Sequence, residues 1–268
     1  MSSEPSPTGT QSVERALAVL GAFLTGRPEL RVSDVAKVAG IGPSTTSRLL
    51  ATLETLEYVE RDAVSGLYRL GPAAITLGGV AVNQHPVHRE ARAIALQLAC
   101  SLGLGANVAV RREADVFYLY NVEGRLATKS FTLMGRRSPM HATGLGKCLL
   151  LGLTAADRRA LLPETGLNGF TPSTLTSHEK LDAELAEVAA RGYATEVEEL
   201  ALGRACLAAP IRGATGSVVA AISVSGPLSA IDLPRRQDEL AQILIESADQ
   251  ISGGLGYLGP HHTIEGQG

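Results

Sequence analysis

Residues 32–62 read VSDVAKVAGIGPSTTSRLLATLETLEYVERD, and this stretch decides the fold of the first quarter of the chain. Ser33 is placed to cap a short helix over Asp34–Ala39, and Gly40 to end it, because glycine accepts the left-handed conformation that often follows a last helical turn. Gly42 and Pro43 then open a helix running to about residue 56, with proline in a first-turn position where the N–H it lacks has no helical partner. At about 100° per residue, Thr46, Leu49, Leu50 and Leu53 gather on one side of this helix. Ser44, Ser47, Arg48, Ala51 and Thr52 therefore point the other way. Upstream, Ser12 stands as an N-cap before Val13, Ala16, Leu17, Leu20 and Phe23 at helical spacing. Downstream, Tyr58–Arg61 and Leu67–Leu70 read as strands joined by a turn containing Asp62, Ser65 and Gly66. Helix, helix, turn, helix, hairpin is the order of a winged helix-turn-helix over residues 11–71.

That order predicts a double-stranded DNA partner. The N-terminal half of the helix at 43–56 is expected in a major groove, with Ser44, Thr45, Ser47 and Arg48 reaching bases or phosphates and Ser33 and Thr52 flanking them. Arg48 is the candidate for a guanine contact, since its planar fork matches the two acceptors of that base. Arg61 and Arg69 on the hairpin are candidates for the sugar-phosphate backbone or minor groove. The competing reading of each is a solvated polar residue. A net charge of −3 counts mildly against DNA binding, although Arg27, Arg31, Lys37 and Arg48 outnumber Glu29 and Asp34 across residues 27–53.

The 268 residues suffice for two domains, and 45% apolar with 19% charged residues is an ordinary globular balance. Residues 1–10 and 254–268 read as tails, 72–84 as a linker helix and 85–253 as the larger domain. Within it, strand patterns at 106–111, 115–121, 193–197, 204–212 and 217–225 are interleaved with helices near 87–102, 144–152, 155–162, 178–191 and 235–252. An α+β domain with a largely antiparallel sheet is expected. The N-terminus lacks the basic and apolar regions of a signal peptide, and no stretch has the length of a membrane span, so a cytoplasmic protein without a membrane partner is expected. Cys100, Cys148 and Cys206 match no zinc spacing, and neither disulfide, metal nor cofactor is expected.

Several separated segments, in order, resemble the IclR family of bacterial transcription regulators. They are SVERALAVLGAF (12–23), the stretch at 32–62 with GLYRLGP (66–72), SPMHATGLGKCLLL (138–151), RGYATEVEELALGRACLAAPI (191–211) and GSVVAAISVSGP (216–227), so the likeness spans about residues 11–253. The resemblance implies a GAF/PAS-like effector-binding domain, assembly as a homodimer or homotetramer, and small organic or aromatic acids as effectors; a palindromic operator is expected because one short recognition helix contacts too few bases alone. It places Gly144 and Leu145 where backbone meets effector, makes Cys206, Ser223 and Ser225 pocket lining, and gives Glu196 an acidic pocket counterpart. Family members act as repressors or as activators.

Chemistry in the second domain has bland and sharp readings. HATGLGKCLL resembles the end of a phosphate loop, but His141 stands where its first glycine belongs and Cys148 where a magnesium-binding hydroxyl belongs, so a nucleotide site is rejected. What remains is a helix N-terminus of small residues able to receive a carboxylate, or a merely tight helix entry. Ser223 and Ser225 are two apart on a strand and face one side, as do Cys206 and Ala208. Cys206, His141 and Glu196 are the constituents of an enzymatic triad, yet no nucleophile motif surrounds them, and a non-enzyme is expected. A ligand-binding module working through protein partners is the other alternative. The chain also departs from the family, which usually places an apolar residue and then Arg before the Cys, where this sequence has Arg204, Ala205, Cys206. A one-residue move along a strand reverses the face, so Arg204 is expected beside Cys206, meeting an acidic effector, pairing with Glu196, or lying in solvent.

Overall fold

The computed structural model describes residues 9–127, 134–163 and 167–259, and the chain divides into two compact units, residues 1–83 and 84–268. In the first, α1 (Gly9–Gly21) runs into a 3-10 turn (Ala22–Thr25), followed by α2 (Val32–Ala39), α3 (Pro43–Thr55), the hairpin β1 (Val59–Arg61) and β2 (Tyr68–Leu70), and α4 (Pro72–Gln84). Gly40 ends α2 at φ 67°, and Pro43 opens α3. Val19, Ala22, Phe23, Leu30, Val35, Leu50, Leu53, Val59 and Tyr68 form the core of this unit. Each large aliphatic side chain withdrawn from water there contributes about 1.5–3 kcal/mol.

Two helix starts differ from expectation. α1 begins at Gly9, leaving Ser12 inside the helix and Val13 and Leu17 59% and 62% exposed. Of the expected apolar set Phe23 joins the core and Leu20 packs against it, with Val19 and Ala22 completing the buried face. Ser33 does not cap α2 but lies exposed within it; the cap residue is Arg31, whose backbone N–H donates to Asp34 Oδ2 at 3.2 Å. A carboxylate three residues into the helix accepts the N–H of the cap residue itself, and adds a negative charge at the positive dipole end.

The second unit is built on a six-stranded antiparallel sheet. Its elements in order are α5 (Pro86–Leu102), β3 (Gly105–Arg112), β4 (Asp115–Val122), β5 (Arg137–Pro139), α6 (Gly144–Leu150), α7 (Ala155–Leu161), α8 (His178–Arg191), β6 (Ala194–Val197), β7 (Arg204–Arg212), β8 (Val218–Pro227), α9 (Leu228–Ile231) and α10 (Leu233–Gly254). The strand order β5-β4-β3-β8-β7-β6 joins two three-stranded meanders edge to edge through β3 and β8. The short strand β5 and the single-turn helix α9 carry too little periodicity to be read from the sequence. Leu255, expected in the tail, packs against the core.

Alternation along the strands separates two cores. Val108, Leu207, Ala209, Ile222 and Val224 meet α5 and α10 on one face, through Ala91, Ala95, Leu240 and Leu244. Ala109, Ala208 and Ala221 meet α6 and α8 on the other, through Leu145, Leu149, Leu181 and Leu185. Both faces of the sheet are covered, which explains the near-continuous apolar run of β7. On the α6 side the small residues of the sheet leave room for a cavity.

Candidate functional site

Two sites follow from this architecture, one in each unit. In the first, Thr46, Leu50 and Leu53 seat α3, and the Thr46 hydroxyl donates to the Gly42 carbonyl at 3.1 Å. Ser44, Ser47, Arg48 and Thr52 are exposed and Thr45 half-buried. The Thr52 hydroxyl donates to the Arg48 carbonyl at 3.2 Å. The wing arginines differ in commitment: Arg69 Nε and Nη2 each lie 2.9 Å from Glu60 Oε2, while the Arg61 guanidinium sits 5.7 Å from the Tyr68 ring centre. At the wing tip Asp62 Oδ1 accepts from the Ser65 N–H at 2.6 Å and its hydroxyl at 2.8 Å, and these bonds hold the carboxyl below its usual range.

In the second unit a cavity of about 150 Å3 opens between the sheet, α6 and the turn that links β6 to β7. Cross-strand register builds its floor. Glu196, Cys206, Ser225 and Gly105 form one row across β6, β7, β8 and β3, and Ala208, Ser223 and Asn107 lie in the next. Leu145, Glu196, Arg204, Cys206, Ser223 and Ser225 all line the cavity. Gly144 stands behind it, where a Cβ would come within 2.8 Å of Cys206 Sγ. The Thr143 hydroxyl accepts from Gly146 N at 3.1 Å, so the first turn of α6 has a partner within the protein for part of its donor set.

The polar side chains of the cavity wall are hydrogen-bonded within the protein. Asn107 Nδ2 donates to Ser223 Oγ at 3.4 Å and Ser225 Oγ at 3.2 Å, while its Oδ1 accepts from Asn121 at 2.8 Å. Glu196 Oε1 accepts the N–H groups of Glu199 at 2.7 Å and Leu200 at 3.2 Å. Burial raises the Glu196 carboxyl above its ordinary value, opposed by those two bonds and by Lys147 and Arg204. Glu196 and Arg204 are therefore electrostatic neighbours without forming an ion pair among the described residues.

Behind the cavity Lys147 is 2% exposed, donating to Glu199 Oε1 at 2.6 Å and the Thr195 carbonyl at 3.0 Å, with Glu184 at 3.6 Å. Thr174 Oγ1 donates to the Glu199 carbonyl at 2.6 Å. These bonds fix the turn carrying Leu200 and Ala201 over the cavity.

Sequence reasoning overlooked Asn107, Tyr118, Ser138 and Thr143 as lining and Lys147 as a buried ion. Asn107 did leave a signal, being polar within the apolar run GANVAV. Of the three residues considered for catalysis, Cys206 and Glu196 line the cavity and His141 does not. His141 bonds through Nε2 to the Asn168 carbonyl at 2.9 Å and stacks on Phe170, away from the cavity lining, and burial pushes the Cys206 thiol up. Among the described residues no group of three or more His, Cys, Asp or Glu side chains is arranged to hold a metal ion, and no helix is long and apolar enough to cross a membrane.

Comparison with known proteins identifies both domains. Residues 12–63 match the IclR helix-turn-helix domain, and residues 79–253 match the bacterial transcriptional regulator IclR C-terminal domain. The transcriptional regulator XynR of Escherichia coli K12 is 34% identical over 250 residues, covering 92% of this chain and 98% of that protein. The transcriptional repressor AllR of Klebsiella pneumoniae is 33% identical over 254 residues, covering 94% and 93%. An IclR transcriptional regulator from Alicyclobacillus acidocaldarius superposes with a TM-score of 0.80 at 28% identity, covering 94% of this chain and all of that one. With a DNA-binding helix-turn-helix in one unit and a GAF/PAS-like, ligand-binding α+β domain in the other, the chain belongs to the IclR family of transcription regulators.

Proposed function

We propose that the exposed face of α3 reads operator DNA and that the sheet cavity holds the small effector that modulates this binding. The observation that carries the effector half is convergence: residues from β6, β7, β8 and α6, singled out from separate stretches of sequence, line one cavity. Gly144, Leu145, Glu196, Arg204, Cys206, Ser223 and Ser225 form its binding set, and a small carboxylate-bearing metabolite is its occupant. Arg48 contacts base edges, Ser44, Thr45, Ser47 and Thr52 support it, and Arg61 approaches the DNA backbone from the wing. Ser33 and Arg69 are lesser contacts, the first away from the cap position and the second held by Glu60.

One short recognition helix touches too few bases for useful affinity, so the working species is a dimer on a palindromic operator with half-sites about one helical turn apart. Ile75, Leu77 and Val80 of α4 are 77%, 61% and 51% exposed, and together with Val13 and Leu17 of α1 they supply apolar surface of the kind an oligomer covers. Tetramers form through effector domains. In this reading α4 is the interdomain linker, the protein works in the cytoplasm, and it is not an enzyme.

Mobility shifts with fragments from upstream of the protein's own coding sequence test this reading. One fragment is expected to shift in a salt-dependent, dimeric complex. No shift with any fragment, or a monomer at micromolar concentration in light scattering, overturns it.

A further inference from the structure

The turn at residues 198–203, which links β6 to β7, differs from the rest of the cavity lining. Leu200 and Ala201 line the cavity from it, and apart from Thr143, the cap of α6, they are the lining residues among those described that lie outside a helix or strand. Its outer side faces solvent: Ala201 and Gly203 are exposed and Leu202 is 67% exposed, so little apolar burial holds it down. Polar bonds do so instead. Two of them close the turn on itself, the Glu198 N–H donating to the Arg204 carbonyl at 2.9 Å and the Gly203 N–H to Glu198 Oε1 at 2.7 Å. Its two ends are also the positions of left-handed backbone, Glu198 at φ 57° and Gly203 at φ 76°.

A segment between α7 and α8 grips this turn from outside the sheet. Thr174 Oγ1 donates to the Glu199 carbonyl at 2.6 Å, and Thr171 Oγ1 donates to the Glu198 carbonyl. Thr174 Oγ1 in turn accepts the N–H groups of Phe170 at 3.0 Å and Thr171 at 2.9 Å, so the hydroxyl that holds the turn is oriented by its own segment. The segment itself is anchored. Leu167 and Leu175 pack into the core beneath α6 and α8, His141 bonds the Asn168 carbonyl at 2.9 Å, and the Phe170 ring stacks on His141. The seated turn carries local costs: a non-glycine residue at left-handed φ, and Glu199 Oε2, which is buried with no hydrogen-bond partner among the described residues.

Resting on the effector reading above, we propose that Thr171 and Thr174 are positioning residues of the effector site: their hydroxyls clasp the turn at residues 198–203 shut over the cavity, and release of this clasp, with the turn swinging as a unit about Glu198 and Gly203, opens the way to the cavity floor. The floor needs such a step because Cys206, Ser223 and Asn107 are 9%, 1% and 4% exposed, while the strands and the helix around them are fixed by ladder bonds and core packing. The other bonds to the turn are made at its ends or through long side chains. The Leu228 N–H holds the Gly203 carbonyl at 3.1 Å, which ties one hinge, and the Glu199–Lys147 pair joins two flexible side chains that tolerate displacement of the backbone. A short hydroxyl bonded directly to a backbone carbonyl tolerates little, so the two threonines set whether the turn is seated.

Two thiols of the second unit separate opening of the turn from unfolding of the domain. Cys206 lines the cavity beneath the turn, whereas Cys148 is 0% exposed in the core under α6. The test labels the full-length protein with methyl methanethiosulfonate, the exposed Cys100 being replaced by serine, and reads each site by mass spectrometry. Thr174→Val and Thr171→Val, which remove the donor at similar shape, are each expected to speed labelling of Cys206 by about tenfold or more while leaving Cys148 unchanged. Thr174→Ser, which keeps the hydroxyl, is expected to stay close to the parent. In the parent itself, hydrogen exchange is expected to be faster at residues 198–203 than along β7. Unchanged Cys206 labelling in both valine variants, equal acceleration of Cys206 and Cys148, or exchange of the turn no faster than β7 overturns the proposal. The effector reading fails separately: if the valine variants behave as expected but protein labelled at Cys206 binds its operator with unchanged affinity, the clasp stands and the cavity beneath it does not regulate DNA binding.

Discussion

Helix α3 and the cavity floor formed by β3, β6, β7 and β8 use polar residues in opposite ways. On α3 the apolar side faces in and Ser44, Ser47 and Arg48 face out, so the polar groups are solvated until a partner arrives. On the floor, Glu196, Ser223 and Asn107 face into the protein at 7%, 1% and 4% exposure, and each is hydrogen-bonded. A solvated face tolerates substitution because water replaces what is lost. A buried polar wall does not, since every orphaned group keeps its desolvation cost. Substitution of the buried Glu196, Ser223 or Asn107 should therefore destabilise the effector domain before it reports on ligand, while substitutions on α3 should report on DNA with the fold unchanged.

The largest effect is expected at Lys147. Lys147→Met leaves the Glu199 carboxylate buried without its cation and should cost about 3–5 kcal/mol of stability in urea denaturation. Burial already raises the Glu199 carboxyl above its ordinary value, opposed chiefly by Lys147. Combining Lys147→Met with Glu199→Gln should recover a substantial part of the loss, and a double variant no more stable than the single one would show that the pair is not the source. Next is Arg48→Ala, which should weaken specific operator binding by about 1–3 kcal/mol and leave thermal stability unchanged. A fall in stability comparable with Lys147→Met would erase the contrast between the two regions.

The sharp face of α3 was legible in the sequence because helical periodicity acts over thirteen consecutive residues, and inward Thr46, Leu50 and Leu53 follow it. The facing of Cys206, Ser223 and Ser225 was legible for the same reason at period two. What periodicity does not carry is which strand lies beside which. Asn107 meets Ser223 only because β3 pairs with β8, a pairing between segments 116 residues apart. Lys147 was hidden for a related reason: its acids come from α8 and from the turn before β7, and a lysine in a short helix looks solvated until those elements close over it. Ser33 failed in a different way, because Asp34, the neighbouring residue in the same turn, competes for the cap.

Acid should distinguish the units further. His88 and His141 are buried at 6% exposure each, and burial lowers both imidazoles below their ordinary value of 6.5. The unfolded chain then binds more protons than the folded one once pH falls through about 6.5, so stability is lost in that direction and is fully present above it. Both residues lie in the second unit, and its denaturation midpoint should fall between pH 7.5 and 5.5, by less in a His141→Gln variant. An equal fall in that variant would assign the effect elsewhere. The smallest effect is expected on the wing, where Arg69→Ala should alter operator affinity less than Arg61→Ala because Arg69 is held by Glu60. The reverse order in salt-matched titrations would place the ion pair, not the freer arginine, against the DNA.

The most direct test of the link between the two regions is fluorescence anisotropy of the full-length protein on its own promoter fragment, comparing wild type, Arg48→Ala and Ser225→Val with and without a small carboxylic acid that wild type binds. Wild type should change operator affinity when the acid is added, Arg48→Ala should bind the operator at least fivefold more weakly while still binding the acid, and Ser225→Val should keep its operator affinity but lose most of the response. Equal operator binding by wild type and Arg48→Ala, or a full response in Ser225→Val, would contradict the assignment of DNA reading to α3 and of effector sensing to the cavity.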